Sequence, residues 1–231
     1  MLQKDRRLPV LYLRPFKDDR NSGGEFPFMP QRTEEFVASR LLRQIGPVIA
    51  VHNPGDQLSR VGALRIIHRG GEWEQLVFQL MDCAELVALR LGVSTGIQIE
   101  IQQAIARVDP SRLIAMVPKS HLGTKKENHS IWQTFAKEVG WSEREIEIVS
   151  GTDTLFVRFG PDWCPVVSKL PPVWLRLVRF GTTSPPEIGL EIALTDMGFD
   201  VSGVRRRRLA IIGVLLASIA AIIFYVAYLV L

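Results

Sequence analysis

Four consecutive arginines, Arg205, Arg206, Arg207 and Arg208, stand directly before a run from Leu209 to Leu231 that contains no charged residue. No other feature limits so strongly what this chain can become. At about 1.5 Å of rise per helical residue the run makes a rod of roughly 34 Å, enough to cross a hydrocarbon core of about 30 Å. The competing reading is a buried helix of a soluble domain, but such helices are rarely apolar all round over this length. The run is therefore read as a transmembrane helix, with Tyr225 and Tyr228 near its far end, where amphipathic rings favour the interface. Positive charge before the span and nothing after it place residues 1–204 in the cytosol. Met1 to Val10 carries Lys4, Asp5, Arg6 and Arg7 and lacks the apolar core of a secretory signal.

The arginine collar also explains the charge balance. The chain has 28 Lys and Arg against 24 Asp and Glu, a formal charge of +4, and the four arginines alone equal that excess. Arginines beside a membrane attract anionic lipid, so Arg205, Arg206, Arg207 and Arg208 are the expected membrane-surface residues. A nucleic-acid binder instead carries its basic stripe on the folded domain. The lipid bilayer is the expected partner, and nucleic acid is not. The two cysteines, Cys83 and Cys164, offer neither a disulfide framework nor a CxxC knuckle, and no His/Cys/Asp cluster has metal-ligand spacing. Cys83 falls on the apolar side of a predicted helix and is expected in the core.

The residues before the collar alternate between short apolar runs and helical patterns. Val10 to Arg14 reads as a strand stopped at Pro15, and a helix follows from an N-cap at Thr33 to about Ile45. Gly46 ends it, and Pro47 to Val51 reads as the second strand. Leu64 to Ile67 is a possible extra strand. A helix then spans about Glu72 to Cys83, a strand Glu85 to Leu91, a helix Gly96 to Val108 and a strand Leu113 to Val117. Such alternation predicts a doubly wound, mainly parallel α/β sheet with helices on both faces. Later in the chain, Ser130 to Val139 and Pro185 to Met197 have helical character, and Thr154 to Phe159 reads as a strand. The Pro- and Trp-rich stretch 161–186 has no placement. Residues 1–118 form the expected core, 119–204 an extension and linker, and 205–231 the membrane segment.

In an open α/β sheet the ligand site lies beyond the carboxyl ends of the strands, where the loops Arg14 to Asp19, His52 to Asp56 and Gly92 to Gly96 should converge. None contains a GxGxxG or GxxxxGK[ST] phosphate loop. The most suggestive stretch runs from Leu89 to Ile101: a strand ends, Ser94 and Thr95 open a helix, and Glu100 follows among Ile97, Ile99 and Ile101. A carboxylate in that company is partly desolvated, which raises its pKa and suits it to stabilise a developing cation. The alternative puts Glu100 on the solvent face beside Gln103 and makes Ser94 or Thr95 a simple N-cap. His52, alone in a turn, reads more readily as a loop residue than as an acid or ligand.

Taken together, the three loops resemble those of the TIR superfamily, the Toll/interleukin-receptor-like domains and their bacterial relatives. The first strand runs into the polar Arg14-Pro15-Phe16-Lys17-Asp18-Asp19, the second loop carries Asn53-Pro54-Gly55-Asp56, and Glu100-Ile101 falls at the Glu-Leu of the third motif. The resemblance covers roughly residues 8 to 118. Arg14-Pro15-Phe16 replaces a usual Ser-Tyr, and Gly96-Ile97 replaces a Trp-Cys pair. It implies a flavodoxin-like TIR fold and, from active relatives, cleavage or cyclisation of NAD with Glu100 as the key carboxylate. NAD would then be a substrate, with no resident cofactor. Arg14 would contact the diphosphate, Ser94 or Thr95 a ribose hydroxyl, and Asp18 would join the nucleotide-binding loop; a surface arginine and a helix cap remain the plain alternatives. A non-catalytic signalling, assembly or nucleotide-sensing module, self-associating on the membrane, is the other function the resemblance allows. A role in bacterial defence accompanies the first.

Overall fold

The computed structural model describes residues 5–14, 34–52, 63–67, 73–92, 95–117, 125–169, 185–201 and 203. Asp18 and Ser94 lie outside these, as do the collar residues Arg205, Arg206, Arg207 and Arg208 and the apolar run from Leu209. Among the described residues no helix is long and apolar enough to cross a membrane.

The strands are β1 (Val10–Leu13), β2 (Val48–His52), β3 (Leu64–Ile67), β4 (Leu86–Arg90), β5 (Leu113–Met116), β6 (Thr154–Phe159) and β7 (Pro165–Lys169). The helices are α1 (Glu34–Leu42), α2 (Trp73–Cys83), α3 (Thr95–Arg107), α4 (Lys125–Val139), α5 (Glu143–Val149) and α6 (Pro185–Asp196). The seven strands of the described residues form one sheet in the order β3-β2-β1-β4-β5-β6-β7. The neighbours from β3 to β5 pair in parallel.

The central strands are apolar at nearly every position because both of their faces are covered. Leu11, Leu13, Val87, Leu89, Leu113 and Ala115 share one core with Val77 and Met81 of α2, Ile97 and Ile101 of α3, Trp132 and Phe135 of α4, and Val149 of α5. The alternate residues Val10, Tyr12, Leu86, Ala88, Ile114 and Met116 face Leu41 and Leu42 of α1 and Leu190 and Leu194 of α6. The chain is thus a mixed α/β fold with a mostly parallel sheet.

Two strands depart from the expected parallel arrangement. β6 runs antiparallel to β5, and β7 antiparallel to β6. The cause is the connection after β5. A single crossover helix returns the chain to the edge where parallel strands begin. Here α4 and α5 pack together and carry the chain out and back, so β6 enters from the opposite edge. Neither α5 nor β7 is evident from periodicity. α5 is short and mostly charged, but it opens with a capping box in which the Ser142 amide donates to Glu145 Oε2 at 2.8 Å. β7 holds the sheet edge, half-buried along most of its length, and it begins within the stretch expected to be linker.

The β6–β7 hairpin turns through Asp162 and Trp163, at φ 55° and 59°. Left-handed backbone is uncommon for a bulky residue such as tryptophan. Its surroundings hold it there. Trp141 Nε1 donates to the Trp163 carbonyl at 3.0 Å, and the Trp163 ring lies 5.4 Å from Phe159 and 5.8 Å from Phe135.

Cys83 is not in the core. It is exposed, as is Cys164. The inward stripe of α2 passes through Val77 and Met81 to Ala84, just beyond the helix. Six residues on from Val77, Cys83 is turned about 240° around the axis and away from the sheet.

Candidate functional site

The strand order contains one reversal. From β1 the chain moves outward to β2 and β3 and then crosses back to place β4 on the other side of β1. The crevice beyond the carboxyl ends of two such strands is the standard ligand position in open α/β sheets. Arg14 follows β1 there, and α3 begins close after β4.

The parallel register pairs Leu13 with Leu89. One step further, Arg14 comes level with Arg90, and both are half-buried. Arg90 joins the candidate site without any sequence motif to reveal it, because only the β1–β4 pairing brings it level with Arg14. Continued strand alternation directs both arginines to the side of the sheet covered by α1 and α6. Thr95 is the first residue of α3 and is exposed. His52 closes β2.

Glu100 is buried, at 3% exposure. It shares the inward stripe of α3 with Ile97, Ile101 and Ala104, so the solvent-face alternative does not hold. Neighbouring helices flank α3 on both sides. Gln102 donates to Glu138 of α4 at 2.8 Å, and Arg107 pairs with Asp82 of α2 at 3.2 Å while covering the Phe78 ring. Glu100 Oε2 is buried with no hydrogen-bond partner. Desolvation, with no compensating charge, pushes the carboxyl up to about 8.

The structure therefore groups Arg14, Arg90 and Thr95 around the carboxyl edge, and sets Glu100 a turn and a half inside α3 on the opposite side of the sheet from the two arginines. A ligand touching all of them must straddle the strand ends. Of the residues expected at the membrane surface, Arg205, Arg206, Arg207 and Arg208 lie outside the described residues, as do Asp18 and Ser94 of the expected nucleotide loops. Among the described residues no cluster of His, Cys, Asp and Glu is arranged to hold a metal ion.

No protein-family model matches the chain, and no curated protein matches it. Among solved structures, that of a mutant of Rv3272 from Mycobacterium tuberculosis is similar at a TM-score of 0.36 and 15% identity, over 88% of this chain and 56% of that one. This chain thus spans little more than half the length of that protein.

Proposed function

We propose that the chain is a membrane-anchored, TIR-like protein of doubly wound, flavodoxin-like architecture, whose cytosolic domain binds NAD at the carboxyl edge of its sheet and hydrolyses or cyclises it. The observation that carries this reading is Glu100. A buried carboxyl with an unpartnered oxygen is costly to keep, and it hangs from the helix that opens at the strand reversal. In the reaction the bond between nicotinamide and the ribose carbon breaks, and its electron pair leaves with nicotinamide. Water, or a ring nitrogen of the same nucleotide in the cyclising case, then fills the vacated position. A carboxylate in a dry setting opposes the positive charge that develops on the ribose. Arg14 and Arg90 supply two guanidinium groups for the diphosphate, and Thr95 a hydroxyl for a ribose.

Burial adds a condition. With its pKa raised to about 8, Glu100 is mostly protonated in the free protein at neutral pH, so kcat/KM should rise with pH through that value if the carboxylate is the working form.

The second reading, a non-catalytic signalling or nucleotide-sensing module, is favoured by the same burial: a protonated Glu100 on the inward stripe of α3 serves packing as readily as chemistry. The experiment is to incubate the full chain in liposomes with NAD and follow nicotinamide release. Turnover abolished in Glu100→Gln supports the enzyme, equal turnover in both proteins removes Glu100 from the mechanism, and no turnover with intact NAD binding favours the module.

A further inference from the structure

We infer that the amino edge of the sheet, around Leu8, Gln44 and Gly203, is the face the domain lays against lipid headgroups, leaving the carboxyl edge with Arg14, Arg90 and the start of α3 turned toward the cytosol. The inference rests on the membrane-anchor reading above and adds an orientation to it.

The geometry comes from the exit point of the chain. α6 runs back along the sheet to the edge where the parallel strands begin, and Gly198 to Asp200 there join Arg7, Leu8, Ile45 and Glu85 around an open cleft of about 380 Å³. Val201 is buried in the α1/α6 core. Gly203 then lies against Gln44, where an added Cβ would come within 2.9 Å of the Gln44 side-chain oxygen. Arg205 is two residues further on, a reach of about 7 Å at most. The last described residue, Gly203, therefore leaves the domain at this edge. α3 alone is about 20 Å long and runs between the two edges, so Thr95 is carried well away from Gly203.

The face itself suits a headgroup layer. Leu8 is 53% exposed and stands beside Ile45 and Phe199 in the cleft. Arg6, Arg7 and Arg43 are balanced by Asp5, Glu85 and Asp200, so the face neither repels anionic lipid nor competes with the collar for it. Attraction comes from Arg205, Arg206, Arg207 and Arg208 at roughly 1 kcal/mol each, and shallow contact from Leu8.

The test uses the full chain in vesicles of phosphatidylcholine and phosphatidylserine that carry a nitroxide on the headgroup. Cys83 and Cys164 are replaced by serine, and a fluorophore is placed by Leu8→Cys or Thr95→Cys, both exposed positions. Quenching is expected to be at least about twofold stronger at position 8 than at position 95, given the roughly 20 Å between the edges. Equal or reversed quenching in protein that floats with the vesicles would overturn the orientation and leave the anchor standing. Failure to float would overturn both.

Discussion

A carboxyl whose pKa is raised by folding makes stability depend on pH in a direction opposite to the common one. Glu100 titrates near 4.5 when unfolded and at about 8 when folded. Between those values the native state holds a proton that the unfolded state has released, so stability is full at low pH, falls as pH rises from about 4.5 to about 8, and then levels. A tenfold change in proton affinity corresponds to about 1.4 kcal/mol, so the effect is on the order of a few kcal/mol. Glu100→Gln removes the titration. Its thermal midpoint should match or exceed that of the parent, with a gap that widens between pH 5 and pH 8.5; a constant gap would mean that Glu100 ionises without penalty. This residue also marks a limit of what a sequence can say. Spacing among Ile97, Ile99 and Ile101 raises the prospect of a desolvated carboxylate but does not settle it, because helical position alone does not say which neighbours close over a side chain. Arg90 is illegible for a different reason: its place beside Arg14 comes from pairing between strands more than seventy residues apart.

At the scale of elements, two contacts decide how the outer layer seats on the sheet. The first is the turn from α1 into β2. A Cβ added to Gly46 would overlap the Leu8 carbonyl oxygen, which is backbone and cannot swing aside. Gly46→Ala should therefore cost about 2–4 kcal/mol in urea unfolding, the range of severe steric and core defects. The second is the ion pair between Arg40 of α1 and Glu187 of α6, in which the glutamate side chain is 2% exposed and the arginine 36%. Removing only Arg40 strips a buried carboxylate of a charged partner, so Arg40→Leu should cost roughly 2–3 kcal/mol, whereas Arg40→Leu with Glu187→Leu should cost less than that single change. A double variant less stable than Arg40→Leu would show that Glu187 is held by its other contacts. The elements themselves are legible in proportion to their burial. β1, β2, β4, β5 and β6 are apolar runs in the body of the sheet, and they stand where the sequence pattern puts them. β7 begins at a proline and is half-buried along most of its length, α5 is too short to show a period, and both belong to the edge whose direction follows from the paired helices α4 and α5. Those are tertiary facts with no local signature.

For the whole molecule, the two cores of the described residues reach as far along the chain as Val201. The apolar run starts eight residues further on, at Leu209. If the apolar run packs against lipid and not against the domain, deleting residues 205–231 should leave a soluble domain whose thermal midpoint stays within about a degree of the full chain in detergent. What should change is encounter. Held at a surface in the orientation inferred above, each domain meets others in a thin layer with its carboxyl edge unobstructed, and effective concentrations near millimolar are reached by tethering alone. Free in solution at micromolar concentration, the truncated domain loses that advantage, and cross-linking between copies should fall by about the ratio of those concentrations, on the order of a hundredfold or more. Cross-linking that is equally strong with and without the tail would assign self-association to the domain's own surface and leave the membrane segment only the task of location. A midpoint that drops sharply on truncation would instead place part of the apolar run against the domain, and the rod read from Leu209 to Leu231 would have to be read again as a helix of the fold.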